Sequence, residues 1–451
     1  MVRDACDENK VEGALAIINN FINVGLLGAG TVGGGVIKVL EKNAADIEKK
    51  VGKPIRITKV LDRNVEKRRA EYGDQYIFTN NIDDILNDPD IDIVVELLGR
   101  EHPAKEYIVA AFEKGKNVVT ANKDVIAHYG EGIYSLAEQK GLDFMFEASV
   151  CGGIPIIEPL KTSMAGNQIH SVMGIVNGTT NYRLSKMSNE HLDYDEVLKE
   201  AQAKGYAESD PTADVGGLDA ARKVVILASI AFNTRISLKD VLVEGIENIE
   251  ACDIKYAQNL GYAVKLLGIA KNDPENGITV CVKPTMLPLT HPLAGVNGVY
   301  NAVFVNGDAI GEAMFLGMGA GRLPTASSVV GDIIEIARDI QSGSTGRISC
   351  TCFKEKKLCP PEKMSAPAYI RLQVLDQPGA LAAIAAAFGA QNVSLRNVIQ
   401  QNAAKGQKAE IVVITHSVSE SNLQMALQIL KVLPVVEKVS CVIRVEDSSL
   451  A

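Results

Sequence analysis

The chain has 451 residues, 47% of them apolar, enough for two or three domains with sizeable cores. A net charge of −9 argues against a general nucleic-acid binder, whose phosphate contacts need a basic face. No run approaches the ~18–20 unbroken apolar residues of a membrane span, and the acidic start lacks the basic flank of a signal peptide. A cytoplasmic protein is therefore expected, with residues 1–20 as an N-terminal extension.

Strand-like and helical patterns alternate through the first 150 residues. Strands are expected at Val24–Leu27, Ile55–Leu61, Ile93–Leu98, Asn117–Ala121 and Leu142–Glu147. A helix should follow the first strand to about Lys49, and another should begin near Pro103. This order predicts an α/β, doubly wound Rossmann-type domain over 21–150, completed by about 310–341.

Five glycines crowd Gly28–Gly35, directly after the first strand. Gly28, Gly30 and Gly33 make G-x-G-x-x-G. The first allows the tight turn, the second lets a pyrophosphate approach, and the third lets helix and strand pack closely. The whole turn, with Ala29, Thr31 and Val32, faces a dinucleotide. At the end of the next strand, Asp62 suits the ribose 2′-hydroxyl of NAD and Arg63 the 2′-phosphate of NADP. The two argue opposite ways, with a slight balance toward NADP or use of both. Thr120 and Lys123, in the stretch TANK, lie on the carboxyl edge of the sheet, where ligands bind.

Phe146–Pro155 (FEASVCGGIP) puts Glu147 before a loop of small residues. Such a loop suits either a cation held by carbonyls and one carboxylate, or a domain-crossing turn. After about residue 150 the pattern becomes α+β. Strands are expected near Ser171–Val176 and Ile278–Pro284, and helices at Leu218–Phe232 and Ile254–Leu267. This α+β domain spans 151–309. Four acids, Glu208, Asp210, Asp214 and Asp219, precede the part of the first helix that is apolar on nearly every side, from Val224 on. Asp219 and Lys223 share one helical face with Ile226 and Ile230, which points both charges inward. Either a plain salt bridge or a functional pair fits that pattern.

A second glycine cluster, GMGAGRLPTA (317–326), opens a helix expected over Ser327–Ile340 that returns to the first domain. Residues 342–367 read as a linker carrying Cys350, Cys352 and Cys359, without zinc-site spacing. Residues 368–451 follow the order βαββαβ.

With these motifs in order, the chain resembles homoserine dehydrogenases that carry a C-terminal ACT domain. The resemblance runs from about Asn23 to Val445. It rests on GLLGAGTVGGGV, VVTANK, FEASVCGGIPI, GIVNGTTNY (174–182), GYAESDPTADVGGLDAARK (205–223) and GMGAGRLPTASSVVGD (317–332). It implies NAD(P)-dependent interconversion of L-aspartate-4-semialdehyde and L-homoserine by a homodimer or larger homo-oligomer. Lys223 then matches the proton donor, Asp219 and Glu208 match substrate-holding residues, and Lys123 lies near nicotinamide and substrate. Glu147 with the carbonyls of Val150, Gly152 and Ile154 matches a sodium site. Cys151 departs from the small residue of many relatives. Threonine is the expected effector of the ACT domain, through the helix-opening loop Asp376–Gly379. Two other readings compete: a thioester-forming aldehyde dehydrogenase using Cys151, and a non-catalytic sensor of nucleotides and amino acids.

Overall fold

The computed structural model describes residues 20–190, 210–401 and 409–446, with Val197 and Glu200. The N-terminal extension and Glu208 lie outside these. Strands β1 (Ile22–Leu27), β2 (Ile55–Leu61), β3 (Ile77–Thr79), β4 (Ile93–Glu96), β5 (Asn117–Thr120) and β6 (Phe144–Met145) form a parallel sheet. Its order is β3-β2-β1-β4-β5-β6. Every residue of β1 is buried, as expected of a central strand covered on both faces. The order reverses beside β1, so a crevice opens at its carboxyl end.

Helix α1 (Thr31–Lys42) leaves β1 through the glycine turn. The expected single helix to Lys49 breaks at Asn43 and resumes as a short helix, Ala44–Val51. The strand expected over Leu142–Glu147 is only β6, because the chain tightens into a 3₁₀ turn at Glu147–Ser149. Helix α2 (Lys123–Lys140) follows β5, with Asn122 as its N-cap accepting from the Val125 N–H at 3.3 Å.

The second sheet is larger than the sequence pattern suggested. Its strands are β7 (Ile169–Ile175), β8 (Leu242–Val243), β9 (Tyr262–Asp273), β10 (Gly277–Pro288), β11 (Tyr300–Gly307) and β12 (Gly311–Met318). Helices α3 (Gly178–Glu190), α4 (Leu218–Ala231) and α5 (Ala251–Asn259) belong to the same region. The helix expected over Ile254–Leu267 ends at Asn259. Gly261 takes a left-handed φ of 82°, and the next residues enter β9, paired along its length with β10. Segment 310–341 also divides. β12 stays in this sheet beside β11, and only helix α6 (Arg322–Ser342) returns to α1. The contact is close because α1 presents glycine there: a Cβ on Gly35 would lie 2.4 Å from the Arg322 carbonyl oxygen.

The linker is not a free spacer. Lys354 pairs with Thr234 and Leu358 with Ile278 in isolated bridges, and Cys359 is buried. It leads to β13 (Ser365–Ala366), β14 (Ala368–Val374), helix α7 (Ala380–Ala390), β15 (Leu395–Gln401), β16 (Ala409–Thr415), β17 (Val418–Ser419), helix α8 (Glu420–Val432) and β18 (Val436–Val445). This is the βαββαβ order with two short strands added. β18 pairs in parallel with β10 at Thr285–Arg444 and Met286–Val445, so one sheet runs β12-β11-β7-β9-β10-β18-β14-β16-β15. Among the described residues no helix is long and apolar enough to cross a membrane.

A buried ionic cluster secures the join. Asp253 on α5, with no exposed surface, accepts from Tyr369 Oη at 2.8 Å and from Arg371 Nε at 2.7 Å. Arg371 Nη1 donates to Glu410 at 3.0 Å. Removing one partner from such a cluster strands the other charge away from water. Arg371→Leu should therefore destabilise the chain by about 3–5 kcal/mol, read from urea unfolding.

Candidate active site

A cleft of about 590 Å³ lies where the carboxyl edge of the first sheet faces the second region. Lys123, Cys151, Asn177, Asp219, Lys223 and Asn301 are among the residues that line it. Lys123 opens α2, and Asp219 and Lys223 stand one turn apart on α4. An ion pair between Arg222 on α4 and Asp124 on α2, at 2.5 Å, draws the two helices together.

Lys223 Nζ donates to Asp219 Oδ2 at 2.7 Å and to the Val176 carbonyl at 2.7 Å. An ammonium has three N–H groups, so one remains for a ligand. Lys123 Nζ lies 3.3 Å from the other Asp219 oxygen. The two lysines, a hundred positions apart, thus meet at one carboxylate. Asn177 Nδ2 donates to Asp219 Oδ2 at 2.8 Å and to Asp214 Oδ1 at 2.7 Å. Its own Oδ1 is fixed by the Thr180 N–H at 2.9 Å.

Burial alone would raise the Asp219 carboxyl, but the Lys223 and Lys123 ammonium groups outweigh it and hold it far below the usual carboxylate range. Burial would likewise lower Lys223, yet Asp219 prevails and raises it above an ordinary lysine. Lys223 is therefore a protonated donor here, although burial or a cationic neighbour acting alone would have lowered it.

The glycine turn fits a pyrophosphate. Gly28 has φ 100°, and its N–H donates to the Leu61 carbonyl at 2.9 Å. A Cβ on Gly33 would sit 2.0 Å from the Gly28 oxygen, whereas one on Gly30 would meet nothing within 4 Å. Ala29 is buried, Val32 half-buried and Thr31 exposed at the start of α1. No side chain caps that helix N-terminus, which leaves its N–H groups for an anion.

Asp62 reaches back to the turn, accepting from the Ala29 N–H at 3.3 Å, but Arg68 Nε also holds it at 2.9 Å. Its other oxygen accepts from the Asn64 N–H at 2.9 Å. Arg63 is exposed beside it. The Thr120 hydroxyl is engaged inside the protein. It donates to Glu96 at 2.6 Å and accepts from the Asn122 N–H at 3.0 Å, bracing the loop that presents Lys123.

In the loop after Glu147 the carboxylate is engaged by the main chain: Oε1 accepts from Ile156 N at 2.6 Å and Ile157 N at 2.8 Å, and Oε2 from Glu158 N at 2.7 Å. It ties down the start of a short helix, Ile157–Lys161. Val150, Gly152 and Ile154 follow in the same loop. Cys151 lies among them with φ 54°, and burial pushes its thiol up to about 11. It is thus a poor nucleophile at neutral pH, against the thioester reading.

Sequence reasoning assigned no role to Asn177 or Asn301. Asn301 is buried in the cleft, and its Oδ1 has no partner among the described residues. The signal for Asn177 was present in the quoted motif GIVNGTTNY, but nothing local shows that its amide bridges two acids 37 and 42 positions away.

Comparison with known proteins bears on this site directly. A family profile described as homoserine dehydrogenase matches residues 155–334. The NAD binding domain of homoserine dehydrogenase matches 28–147, and the ACT domain matches 368–435. A homoserine dehydrogenase of Bacillus subtilis is 44% identical over 429 residues, covering 95% of this chain and 99% of the relative. The crystal structure of a homoserine dehydrogenase from Thiobacillus denitrificans superimposes with TM-score 0.90 at 40% identity, covering 95% and 98% of the two chains. A hyperthermophilic archaeal homoserine dehydrogenase in complex with NADPH has TM-score 0.60 at 26% identity, covering 70% of this chain and 97% of its own.

The open space above Gly30 yields a direct test. Gly30→Val should fold with an unchanged melting temperature. Its coenzyme affinity, measured by fluorescence titration, should fall at least ~10-fold, about 1.4 kcal/mol.

Proposed function

The chain belongs to the homoserine dehydrogenase family, and from that premise we propose how its own residues carry the reaction. The activity is the NAD(P)-dependent interconversion of L-homoserine and L-aspartate-4-semialdehyde. Bound coenzyme supplies or accepts a hydride at the substrate carbon. What the protein must do is hold the substrate oxygen and move its proton. Lys223 is the proton donor: its remaining N–H faces the cleft, and Asp219 with the Val176 carbonyl fixes the other two. An ammonium beside the carbonyl oxygen stabilises the negative charge that develops there and then delivers the proton. Lys123, one-third exposed at the mouth of the cleft, adds a second positive charge and closes on Asp219 from the coenzyme side. Asp219 is a positioning residue for both. Glu208, outside the described residues, is proposed to hold the substrate amino group. The shared carboxylate is the observation that carries this reading.

The coenzyme proposed is NADP. Arg63 is an exposed cation at the ribose end of the turn, and Asp62 is already engaged by Arg68 and two N–H groups. The archaeal relative's NADPH complex supports the same choice. A sodium ion on the carbonyls of Glu147, Val150, Gly152 and Ile154 would stiffen the turn that carries Cys151 into the cleft. A homodimer is proposed through the second region, where β12 leaves Met314, Leu316 and Met318 exposed on an edge strand. Threonine is proposed as the effector of the ACT domain. The loop Asp376–Gly379 opens α7 at a Gly379 with φ 86° and no side-chain cap, a setting that suits an amino-acid carboxylate.

Lys223→Ala should lower turnover by roughly 10²–10⁴-fold and leave coenzyme affinity unchanged. In homoserine oxidation the lysine must first lose its proton. Asp219 raises its pKa, so the oxidation rate should climb with pH into the alkaline range while aldehyde reduction declines. In Asp219→Asn the main opposition to burial is lost and the climb should begin at lower pH. Identical profiles in the two proteins would remove Lys223 from the proton path. Arg63→Ala should raise the KM for NADP by ~10-fold or more and leave that for NAD nearly unchanged, since only the former loses a charged contact. Threonine should inhibit the full chain in a spectrophotometric assay. Gly379→Val, strained at a left-handed position, should retain basal activity and lose that inhibition.

A further inference from the structure

Away from the cleft, a second cavity of about 120 Å³ lies between α2, α4 and the linker. Lys161, Arg235, Tyr134, Cys350 and Cys352 are among the residues that line it. Its charges are unusual. Lys161 Nζ donates to Tyr134 Oη at 2.8 Å and lies over the rings of Tyr134 and Phe146. Arg235 Nη2 donates to Cys350 Sγ at 3.1 Å. Among the described residues neither cation forms an ion pair with a carboxylate. Cationic side chains in a partly enclosed space need an anion nearby. Glu131 lines the same cavity, and the Cys350 sulfur is the atom that Arg235 touches.

A second thiol follows two residues on. The Phe353 N–H donates to the Thr351 carbonyl at 3.2 Å, turning the chain at Cys352. Both thiols line the same cavity. Cys352 Sγ also points at the Ser229 carbonyl of α4, at 3.5 Å. Both cysteines are half-buried.

We infer that Cys350 and Cys352 form a peroxide-reactive dithiol, in which Cys350 attacks and Cys352 resolves the product to a disulfide. Arg235 Nη2, 3.1 Å from the Cys350 sulfur, favours its thiolate over the thiol, against the opposing effect of burial. In the first step the Cys350 sulfur attacks one oxygen of a small hydroperoxide. An S–O bond forms as the O–O bond breaks, and the leaving hydroxide takes up a proton as water. In the second, Cys352 gives up its proton and its sulfur displaces hydroxide from the Cys350 sulfenic acid, releasing a second water. The pair loses two electrons and the peroxide gains them. The reactive pair is then a modification site in the segment that joins the second region to the ACT domain.

The test uses the intact, reduced chain treated with stoichiometric hydrogen peroxide and mapped by peptide mass spectrometry. The expected product is a Cys350–Cys352 link, a loss of about 2 Da that dithiothreitol reverses. Cys352→Ser should stop at the sulfenic acid, captured by dimedone on Cys350, while Cys350→Ser should leave Cys352 reduced. Arg235→Met should slow the reaction at least ~10-fold. Two results would overturn the inference: oxidation of Cys252 or another cysteine before this pair, or dimedone capture elsewhere in Cys352→Ser. The wild-type map stands even where a variant fails to fold.

Discussion

Asp219 stays an anion out of water because Lys223 and Lys123, with the Asn177 amide, engage its two oxygens, and those lysines come from different parts of the fold. Lys223 shares its helix, so that pair is made within the second region whatever the first sheet does. Lys123 arrives from the start of α2, on the carboxyl edge of the first sheet, and completes the set only when the two regions face each other. A buried charge that loses a partner costs several kcal/mol, of order 3–5. The contact that satisfies the carboxylate therefore also ties the two regions together across the cleft. The arrangement also decides protonation. A lysine desolvated alone would tend toward neutrality, whereas one desolvated against a carboxylate keeps its proton.

The crowding of glycine before α1 has several separate causes. Gly28 is needed for its left-handed φ, and Gly33 because the Gly28 carbonyl lies where its side chain would be. Gly30 alone faces open space, the side from which a ligand comes. Gly34 and Gly35 serve packing: a Cβ on the first would strike Tyr72 Oη at 2.3 Å, and on the second the Arg322 carbonyl. A phosphate turn and a helix–helix contact share one segment. This is why α6, far along the chain, returns to cover α1 and contributes Ile333 and Ile336 to the same apolar core as Leu26 and Val36.

These two constraints differ in how far they can be read from local pattern. Strand β1, the glycine fingerprint, the inward face of Asp219 and Lys223, and the βαββαβ order all have short-range signatures: alternation, spacing at i and i+4, punctuation by glycine. What escaped had its cause elsewhere in the chain. Residues 262–267 carry a pattern that suits a helix or a strand, and the partner β10 decides for the strand. The linker's small and charged residues signal a spacer, yet bridges to Thr234 and Ile278 pin it to the second region. Glu147 looks like a free carboxylate until three N–H groups nine to eleven positions onward are found on it. Asn177 is one amide among many until two acids from beyond residue 210 converge on it. Composition and period report which face is buried; they do not report what meets it there.

The continuous sheet gives the ACT domain a short mechanical route to the cleft. β18 joins β10 at two residue pairs only, while β10, β9 and β7 are paired over longer stretches, and β7 runs out at Ile175. The next carbonyl, that of Val176, is the one that fixes Lys223. A narrow join of this kind would hinge freely if hydrogen bonds were all that held it. The Asp253–Arg371–Tyr369 cluster stands beside it and resists that motion, because opening it would expose charges whose partners lie across the boundary. Contiguity by itself is a route and not a coupling energy. A ligand bound at α7 changes the position of Lys223 only if it favours one setting of the join over another. The residues that hold the join, rather than those that touch the ligand, then set how large the response can be.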